Sequence, residues 1–431
     1  MTLLSRRRFL KSLAASSALS LSACQNLLRT SAKARVVIVG GGFGGATAAK
    51  TLRLLDSNIH ITLIEPKANY ITCPGSNWLF AGLSNLDRLT VDYRALKDQY
   101  AIDVLTDRVN AVDRSLRRLT LASGNVVAYD RLILSPGIAF RWNAIDGYSP
   151  VVAEIFPHAW QAGPQTLLLA KQLQSMSDGG VVVIAAPPDP YRCPPGPYER
   201  ASMMAYWLKQ HKPRSKIIIL DPKRSFSKQA LFEAGWTKHY GYGTSNSLIE
   251  WHSLADNPVT QLDKRSKTLI TDFGDRFSGD VLNIIPPQVA NELTHQTGLT
   301  NLSGWCPVKP ETAQSIFDDY IHVIGDAAHF APLPKSAFAA NSEAKACAMA
   351  VLGLFNDRTL EEPSWMNTCY SLITPSHGIS VAGIYKLDAD KNLISVEGAG
   401  GTSPQANASF AQREAGFALS GYQNLVSNTF Y

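Results

Sequence analysis

The 431-residue sequence has six cysteines, and none of them occurs in a common metal-binding or redox spacing. There is no CxxC pair, so zinc binding and thioredoxin-like exchange have no support. The CxxxxC of pyridine-nucleotide disulfide reductases and the CxxCH of covalently bound haem are also absent. We therefore expect no metal site, and any haem that works with this protein belongs to another chain.

The sequence also lacks basic runs with interleaved aromatic residues. Four of the charges behind the formal net charge of +6 come from Arg6, Arg7, Arg8 and Lys11, in an N-terminal stretch that contains no acid. Nucleic-acid binding is therefore not expected. Hydrophobic residues make up 45% and charged residues 18% of the chain, which is typical of a globular protein with two or three domains.

Residues 1–32 have the features of an export signal. Ser5–Lys11 matches the twin-arginine pattern, and the apolar segment Ser12–Leu21 follows it. This segment is too short for a membrane span, because a spanning helix needs about 20 apolar residues. The sequence therefore predicts export by the twin-arginine route to the periplasm.

The end of this signal leaves two outcomes open. Leu21–Cys24 resembles a bacterial lipobox, and acylation of Cys24 would tether the protein to a membrane, with Gln25–Lys33 as a polar tether. Ordinary cleavage near Ala23 or beyond Ala32 would instead release a soluble periplasmic protein. We favour the lipid anchor. Either product would reside in an oxidising compartment that permits disulfides.

A strand–loop–helix pattern follows. Arg35–Val39 is a continuous apolar run that suits a buried parallel strand. The GxGxxG loop Gly40–Gly45 leads into the helical residues Ala46–Leu54. A second strand, His60–Ile64, ends at Glu65, twenty residues after the last glycine of the loop. This order and spacing predict a dinucleotide-binding unit.

Each residue of this pattern has a physical role. Gly40 allows a tight turn, Gly42 lets the backbone approach a pyrophosphate, and Gly45 lets the helix pack closely against the strand. The helix N-terminus offers free N–H groups and a positive dipole end to the phosphates. Glu65 is placed to hold the adenosine ribose hydroxyls.

Two later turns indicate which dinucleotide binds. The strand in Asp130–Gly137 ends in Pro136 and Gly137, and the strand in Tyr320–Ala327 ends in Gly-Asp at Asp326. Both resemble the turns that close over FAD in flavoproteins with two dinucleotide-binding domains. In that superfamily the aspartate holds the ribityl chain. The resemblance implies an FAD-binding unit split between residues 33–150 and 279–352.

The intervening residues 151–278 predict a second Rossmann-like unit with strands at Gly180–Ile184 and Lys216–Leu220. The first of these strands leads into Ala185–Pro190, which has prolines where a second GxGxxG is expected. Proline removes N–H donors, and side chains block a close approach of phosphate. This counts against an NADH-dependent reductase.

Residues 353–431 predict a smaller C-terminal α+β domain. Cys369–Ile373 has a helical pattern, Gly378–Tyr385 has a strand pattern, and the tail is rich in aromatic residues. The predicted fold class is therefore α/β, with two Rossmann-like dinucleotide-binding domains and this smaller domain.

Three cysteine segments carry a more specific resemblance. They are Tyr70–Gly75 around Cys73, Arg192–Ser202 around Cys193, and Asn367–Ser371 around Cys369. Together with His158–Gly163, Trp305–Val308, Gly325–Ala327 and Pro334–Ser336, they resemble the flavoprotein subunit of flavocytochrome c sulfide dehydrogenase. That family belongs to the two-dinucleotide-binding-domain flavoproteins and is related to sulfide:quinone oxidoreductases. The resemblance extends over nearly the whole chain.

The resemblance implies roles for individual residues. Cys73 matches the cysteine that joins FAD covalently, and Cys193 and Cys369 match a redox-active disulfide beside the flavin. Glu199 is the candidate proton-handling carboxylate, or else a surface salt-bridge partner. Lys335 either places positive charge near the flavin pyrimidine or is a solvated loop lysine.

The two other cysteines of the globular region, Cys306 and Cys347, are predicted to be buried structural thiols.

The function implied by the resemblance is that of an exported, FAD-dependent sulfide dehydrogenase. It would oxidise sulfide or a related sulfur donor to sulfur or polysulfide and pass electrons to a c-type cytochrome. Two alternatives stay open: a membrane-surface enzyme like sulfide:quinone oxidoreductase, and a non-catalytic, flavin-bearing subunit of a cytochrome or sulfur-carrier complex. The presence of Cys73, Cys193 and Cys369 together argues against the non-catalytic alternative.

Overall fold

The computed structural model describes residues 34–431 except 357, 359, 360, 405 and 406. The predicted export signal and Cys24 lie outside the described residues. None of the helices in the described part of the chain is both long and apolar enough to cross a membrane.

The largest sheet draws its strands from both segments of the predicted FAD-binding unit. They are β1 (Arg35–Val39), β2 (His60–Ile64), β5 (Asp103–Leu105), β9 (Arg131–Leu134), β19 (Cys306–Lys309), β20 (Gln314–Ser315), β21 (Asp318–Val323) and β22 (Ala328–His329), in the order β22-β19-β20-β21-β9-β1-β2-β5. The strands from β21 to β5 in this order run parallel. The carboxyl ends of β1 and β21 therefore lie at the same edge of the sheet, where ligands of parallel sheets bind.

A second, parallel sheet forms the middle unit. Its strands are β11 (Val181–Ala185), β12 (Lys216–Asp221), β13 (Ile249–Ser253) and β17 (Val281–Ile284), in the order β13-β12-β11-β17. The strand β17 lies beyond residue 278, at which the sequence predicts this unit to end. Because β17 pairs with β11 in register along its whole length, the boundary is corrected to a position after Ile284.

Shorter antiparallel strands connect these sheets. They are β3 (Asn69–Ile71) with β4 (Thr90–Asp92), β6 (Val109–Asp113) with β7 (Arg118–Leu121) and β8 (Val126–Ala128), β10 (Ile138–Phe140) with β18 (Gln288–Ala290), and β14 (Val259–Asp263) with β15 (Thr268–Thr271) and β16 (Arg276–Ser278). The pair β10–β18 joins the two segments of the FAD-binding unit at the point where the chain leaves it and returns.

The α-helices of the described residues cover the sheets. They are α1 (Phe43–Leu55), α2 (Leu86–Leu89), α3 (Arg94–Asp98), α4 (Pro164–Ser175), α5 (Gly196–His211), α6 (Gln229–Tyr240), α7 (Glu292–Gln296), α8 (Ala337–Phe355) and α9 (Ala408–Phe430). Short 3-10 helices span Ser76–Ala81, Trp142–Ala144, Val152–Glu154 and Gly325–Ala327. Buried residues of α1, α4, α5, α6, α8 and α9 share one core cluster with β1, β9 and β21, whereas Ala153 belongs to a second cluster with residues of β11 and β17.

The C-terminal region is an antiparallel sheet packed under a helix. Its strands are β23 (Ser364–Thr374), β24 (His377–Leu387) and β25 (Leu393–Thr402). The prediction of a helix at Cys369–Ile373 is wrong, because these residues lie within β23. A five-residue apolar run does not distinguish helix from strand by itself, and here the long pairing with β24 decides. The predicted strand at Gly378–Tyr385 is confirmed as part of β24.

The C-terminal helix α9 is fixed to the FAD-binding unit by buried hydrogen bonds. Asn341 of α8 donates from Nδ2 to Thr47 Oγ1 of α1 at 2.8 Å, and Thr47 Oγ1 lies 3.1 Å from Thr429 Oγ1 of α9. Phe430 is fully buried and stacks on Tyr70 with ring centroids 5.6 Å apart. The helix α9 therefore closes over the carboxyl edge of the main sheet.

Candidate functional site

A single cavity at this edge brings together most of the residues that the sequence singles out. Ten of them line it: Gly40, Gly42, Glu65, Cys73, Pro136, Gly137, Cys193, Glu199, Asp326 and Cys369. Gly45 and Lys335 do not line the cavity, and the structure gives each of them a different position, described below. Residues from all three predicted regions thus share one site.

The glycine loop forms one end of the cavity. Helix α1 begins at Phe43 without a side-chain cap, so its first N–H groups stay free for an anionic group. A Cβ on Gly45 would lie 1.9 Å from the carbonyl oxygen of Gly40, so only glycine allows the helix to pack this close. Glu65 accepts a hydrogen bond from the Gly41 N–H at 2.8 Å, which places its carboxylate beside the loop.

The Gly-Asp turn after β21 forms another wall. Asp326 Oδ1 is buried and has no hydrogen-bond partner among the residues that the structure describes. Its Oδ2 lies 3.8 Å from the guanidinium Nη1 of Arg192. Burial raises the pKa of Asp326, and the Arg192 and Lys335 charges oppose that shift. An orphaned acceptor that lines a cavity is suited to a ligand hydroxyl.

Lys335 lies behind this turn. Its Nζ donates to the carbonyl oxygens of Asp326 at 2.9 Å and Ala328 at 2.6 Å, and lies 3.9 Å from the centre of the Trp305 ring. Burial lowers the pKa of Lys335 to about 8. The side chain is not a solvated loop lysine: it supports the turn. Its predicted contact with the flavin pyrimidine stays a prediction.

Three thiols face the cavity. Cys73, Cys193 and Cys369 are free and partly exposed, whereas Cys306 and Cys347 are buried, which confirms the structural assignment of the latter two. The Cys73 Sγ lies 3.8 Å from the carbonyl oxygen of Trp160.

The backbone of Cys193 is strained, with a φ of 59° that non-glycine residues rarely adopt. Two hydrogen bonds of 2.8 Å hold it, from Cys193 N–H to the Lys335 oxygen and from Gly196 N–H to the Cys193 oxygen. Strain of this kind is retained where the surrounding structure fixes a functional side chain.

Glu199 lies in the first turn of α5 and is buried, which excludes the surface salt-bridge alternative. Its carboxylate accepts three hydrogen bonds: from Asn77 Nδ2 at 3.0 Å, from Trp78 Nε1 at 3.2 Å and from the Leu372 N–H at 3.0 Å. Because Leu372 belongs to β23, Glu199 links the helix that follows Cys193 to the strand that carries Cys369.

The two thiols beside Glu199 resist ionisation. Burial raises the pKa of Cys193 well above its usual value, and the nearby Cys369 and Glu199 raise it further. Burial also raises the pKa of Cys369, where the Lys228 ammonium opposes the shift and Glu199 adds to it. Formation of a thiolate at either position therefore depends on the balance of nearby charges.

Two arginines of the site were missed in the sequence analysis. Arg192 lines the cavity and is partly buried near Cys73 and Asp326, whose charges raise its pKa against the effect of desolvation. Arg200 also lines it, and burial lowers its pKa to about 10. The signal in the sequence is their place in the segment Arg192–Ser202, where they directly adjoin Cys193 and Glu199.

Arg200 donates to neutral acceptors, including Asn77 Oδ1 at 3.1 Å, Asn283 Oδ1 at 2.9 Å and the Ala159 oxygen at 2.6 Å. With these partners the guanidinium keeps a net positive charge at the cavity wall. An arrangement of this kind favours a small anion near the thiols.

At the end of β12, the acidic residue that could hold the ribose of a second dinucleotide is engaged by other side chains. Asp221, at the end of β12, accepts hydrogen bonds from Tyr198 at 2.5 Å and Trp251 at 2.9 Å, and Lys223 Nζ lies 2.6 Å from its Oδ1. Lys223 also donates to the Pro187 oxygen at 2.7 Å, closing the proline-containing turn after β11. These contacts engage the Asp221 carboxylate, so it is not free to hold the ribose of a second dinucleotide.

The cavity residues fit FAD. The uncapped α1 terminus suits the pyrophosphate, Glu65 lies where it can reach the adenosine ribose, and the unpaired Asp326 oxygen suits a ribityl hydroxyl. The three thiols line the same cavity. This chemistry is that of a flavin site beside a sulfur-reactive site.

Comparison with known protein families agrees with this assignment. Residues 34–164 match the family described as pyridine nucleotide-disulphide oxidoreductase. Residues 166–286 match the central region of the sulfide dehydrogenase [flavocytochrome c] flavoprotein chain, and residues 361–430 match the flavin-binding region of flavocytochrome c sulphide dehydrogenase. The three matches include all three cysteines of the cavity.

Individual relatives point the same way. The chain is 65% identical over 43 residues to the sulfide dehydrogenase [flavocytochrome c] flavoprotein chain of Chlorobaculum thiosulfatiphilum, covering 10% of this chain and 90% of that sequence. It is 28% identical over 183 residues to the sulfide-quinone reductase of Aquifex aeolicus, covering 42% of this chain and 41% of that one.

The fold is similar to the crystal structure of sulfide:quinone oxidoreductase from Aquifex aeolicus, with a TM-score of 0.71, 18% identity and 92% of each chain covered. At this identity the structural match supports the fold alone, and the fold class with two dinucleotide-binding domains is confirmed. The family matches and the Chlorobaculum relative go further: the chain belongs to the family of flavocytochrome c sulfide dehydrogenase flavoprotein chains and is an FAD-dependent oxidoreductase.

Proposed function

We propose that this protein oxidises sulfide through a redox disulfide between Cys193 and Cys369, next to FAD bound in the cavity. The observation that carries the proposal is the shared position of these two cysteines. They are far apart in the sequence, yet both line the cavity that the glycine loop and Cys73 also line. Hydrosulfide is the donor named by the family and by both relatives.

The sulfur chemistry balances within the cysteine pair. Hydrosulfide attacks one sulfur of the disulfide, so the Cys193–Cys369 bond breaks and a new S–S bond forms. One cysteine then carries a persulfide, and the other takes the electron pair as a thiolate. A second hydrosulfide releases the outer sulfur as polysulfide and leaves two thiols. Bound FAD would supply the two-electron acceptor that lets the two thiols return to the disulfide, and it would allow the electrons to leave singly.

The charged residues of the site support each stage. Arg192 and Arg200 supply positive charge that attracts hydrosulfide to the cavity. Glu199 is held close to both thiols by its three hydrogen bonds, and is the group available to take or return the proton of a thiol or persulfide.

Cys73 is proposed to hold FAD through a thioether. Its sulfur faces the cavity, and a covalent link would prevent loss of the cofactor outside the cytoplasm. Acid precipitation tests this: flavin should stay with the denatured protein, and the substitution Cys73→Ser should move it to the supernatant. Flavin that leaves the unsubstituted protein on precipitation would contradict the link.

Anaerobic titration with sulfide tests the disulfide. In the parent protein, sulfide should bleach the flavin absorbance, and Cys193→Ser or Cys369→Ser should abolish rapid bleaching. Cys306→Ser is the matched control, because Cys306 is a free thiol buried away from the cavity lining. If Cys193→Ser bleaches as fast as the parent, the disulfide mechanism fails.

The electron acceptor is proposed to be a c-type cytochrome. A quinone is the second candidate, favoured by the C-terminal helix α9, which lines the cavity with Ala418, Tyr422 and Leu425 and exposes Phe417 and Leu419. Addition of soluble cytochrome c or of a soluble quinone to the sulfide-reduced protein distinguishes them. The faster reoxidation identifies the acceptor.

Export to the periplasm and lipid attachment through Cys24 are proposed from the leader sequence alone. Fractionation of cells and mass spectrometry of the mature N-terminus test them. A mature chain that begins with an acylated Cys24 supports the anchor, whereas an unmodified start near residue 33 supports a soluble protein.

A further inference from the structure

A buried lysine with no assigned function lies against the strand that carries Cys369. Lys228 directly precedes α6 as its N-cap residue, in the left-handed conformation with a φ of 62°, and only 6% of its surface is exposed. Its Nζ donates to the carbonyl oxygen of Cys369 at 3.0 Å and to Ser371 Oγ at 2.8 Å. The ammonium is therefore fixed on β23 from a distant part of the chain.

The position of this ammonium relative to the Cys369 side chain follows from strand geometry. Residues two apart in a strand project to the same face. Cys369 and Ser371 are two apart and lie in the regularly paired part of β23. Because Lys228 contacts the Ser371 hydroxyl, it lies on the face to which Cys369 projects its sulfur.

The charge of Lys228 is not neutralised by an ion pair. Within the described residues, no carboxylate lies within ion-pair distance of it. Lys223, which is also buried, has Asp221 at 2.6 Å. A buried ammonium is unfavourable unless charge or hydrogen bonds offset it, and the two hydrogen-bond partners of Lys228 are neutral.

The titratable groups that face Lys228 come from three other elements. They are Cys369 on β23, Glu199 on α5 with Cys193 just before it, and Glu414 on α9. Burial lowers the pKa of Lys228, and all four of these groups oppose the shift, Cys369 most strongly. The anion that gains most from this ammonium is therefore the sulfur of Cys369.

We propose that Lys228 is a positioning residue that stabilises negative charge on the sulfur of Cys369. The inference rests on the proposed disulfide chemistry. Hydrosulfide attack breaks the Cys193–Cys369 bond and leaves a thiolate on one sulfur and a persulfide on the other. Both species are anions in their reactive form: a thiolate carries its charge on Cys369 Sγ, and a persulfide carries it on the outer sulfur bonded to that atom. Negative charge therefore develops at Cys369 whichever sulfur is attacked, and Lys228 compensates it.

Alkylation of the reduced holoprotein by iodoacetamide tests the proposal without relying on turnover. The rate at Cys369 is followed by peptide mass spectrometry across a range of pH. Lys228→Met should move the Cys369 profile to higher pH by about one unit, which lowers the alkylation rate about tenfold at a fixed pH below the transition. Lys228→Arg, which keeps the positive charge, should restore most of the lost alkylation rate.

The control is Lys212→Met. Lys212 also donates to main-chain oxygens, those of Leu173 at 3.0 Å and Gln174 at 2.6 Å, and it faces none of the thiols. Lys212→Met should remove comparable hydrogen bonds and leave the pH profile of Cys369 alkylation unchanged. An unshifted Cys369 profile in folded Lys228→Met would overturn the proposal.

The parent protein provides a second measurement if Lys228→Met does not fold. There Cys369 should be alkylated with a transition at lower pH than Cys193, because Lys228 contacts its strand directly. The reverse order would overturn the proposal. Failure of the proposed function would appear separately, as a parent protein whose flavin is not bleached by sulfide.

Discussion

Replacement of Glu199 by glutamine separates the structural from the chemical contribution of this carboxylate. In the parent, one carboxylate oxygen accepts from Trp78 Nε1 and the Leu372 N–H, and the other accepts from Asn77 Nδ2. Glutamine keeps one acceptor oxygen. If this oxygen faces Trp78 and Leu372, two of the three hydrogen bonds are kept. The new amide NH₂ then faces the Asn77 NH₂, and neither group can accept a hydrogen bond from the other.

One lost bond therefore sets the cost in stability. A buried hydrogen bond that is left unmade costs about 1–3 kcal/mol. Asn77 Nδ2 retains the Gly196 oxygen at 3.1 Å, so the loss should fall at the lower end of that range. Urea unfolding of Glu199→Gln should show this decrease in the free energy of unfolding. Ser202→Ala, on the same helix as Glu199, removes the 2.8 Å hydrogen bond that Trp236 Nε1 donates to Ser202 and should show a similar decrease.

The substitution also removes a negative charge, which should make the two thiols easier to ionise. Glu199 contributes to the raised pKa of both Cys193 and Cys369, so Glu199→Gln should lower both and move their alkylation profiles to lower pH. Ser202→Ala removes no charge and should leave both alkylation profiles unchanged. At the same time, loss of a proton-handling group should slow sulfide-driven flavin bleaching by a factor of about 10²–10⁴.

Two outcomes would refute this reasoning. Thiol profiles that stay in place in Glu199→Gln would mean that its charge does not act on the cysteines. Bleaching that slows no more than in Ser202→Ala would reduce Glu199 to a structural link between α5 and β23.

Two further predictions concern the cofactor loop and pH. Gly45→Ala should abolish flavin binding, because the new Cβ would lie 1.9 Å from the Gly40 oxygen; the ratio of flavin absorbance to protein measures this. Gly416→Ala is the control and should retain flavin, because a Cβ at that position has no atom within 4 Å. Burial lowers the pKa of His158 to about 3 and of His322 to about 4, so below about pH 6.5 the unfolded chain binds protons that the folded chain does not. The free energy of unfolding should fall between pH 7 and pH 5 by up to about 1.4 kcal/mol per pH unit for each histidine, seen in urea midpoints; a constant midpoint would contradict it.

Features encoded over short stretches of chain were predictable. The strand β1, the glycine loop and α1 follow one another directly, and apolar pattern and glycine spacing specify them together. The prolines after β11, at positions where a nicotinamide loop would require glycine, are likewise visible in the sequence alone, and the absence of that loop stays a prediction.

Prediction failed where distant segments decide the local structure. Cys369–Ile373 forms a strand because β24 pairs with it, and β17 joins the second sheet because β11 lies beside it. The sequence pattern of these segments is compatible with other assignments. Pairing across many residues is a tertiary interaction that no local propensity encodes.

By itself the sequence determined that a dinucleotide binds and that three cysteines are candidates for sulfur chemistry. Only the tertiary structure decided which charges surround those cysteines: Arg200 and Lys228 show no motif, and reach the site because α5 and α6 pack against β23. The physical reason is the distance along the sequence between the groups that interact. A phosphate loop is made by neighbours in the chain, whereas the ionisation of a buried thiol depends on every charge that folding brings near it.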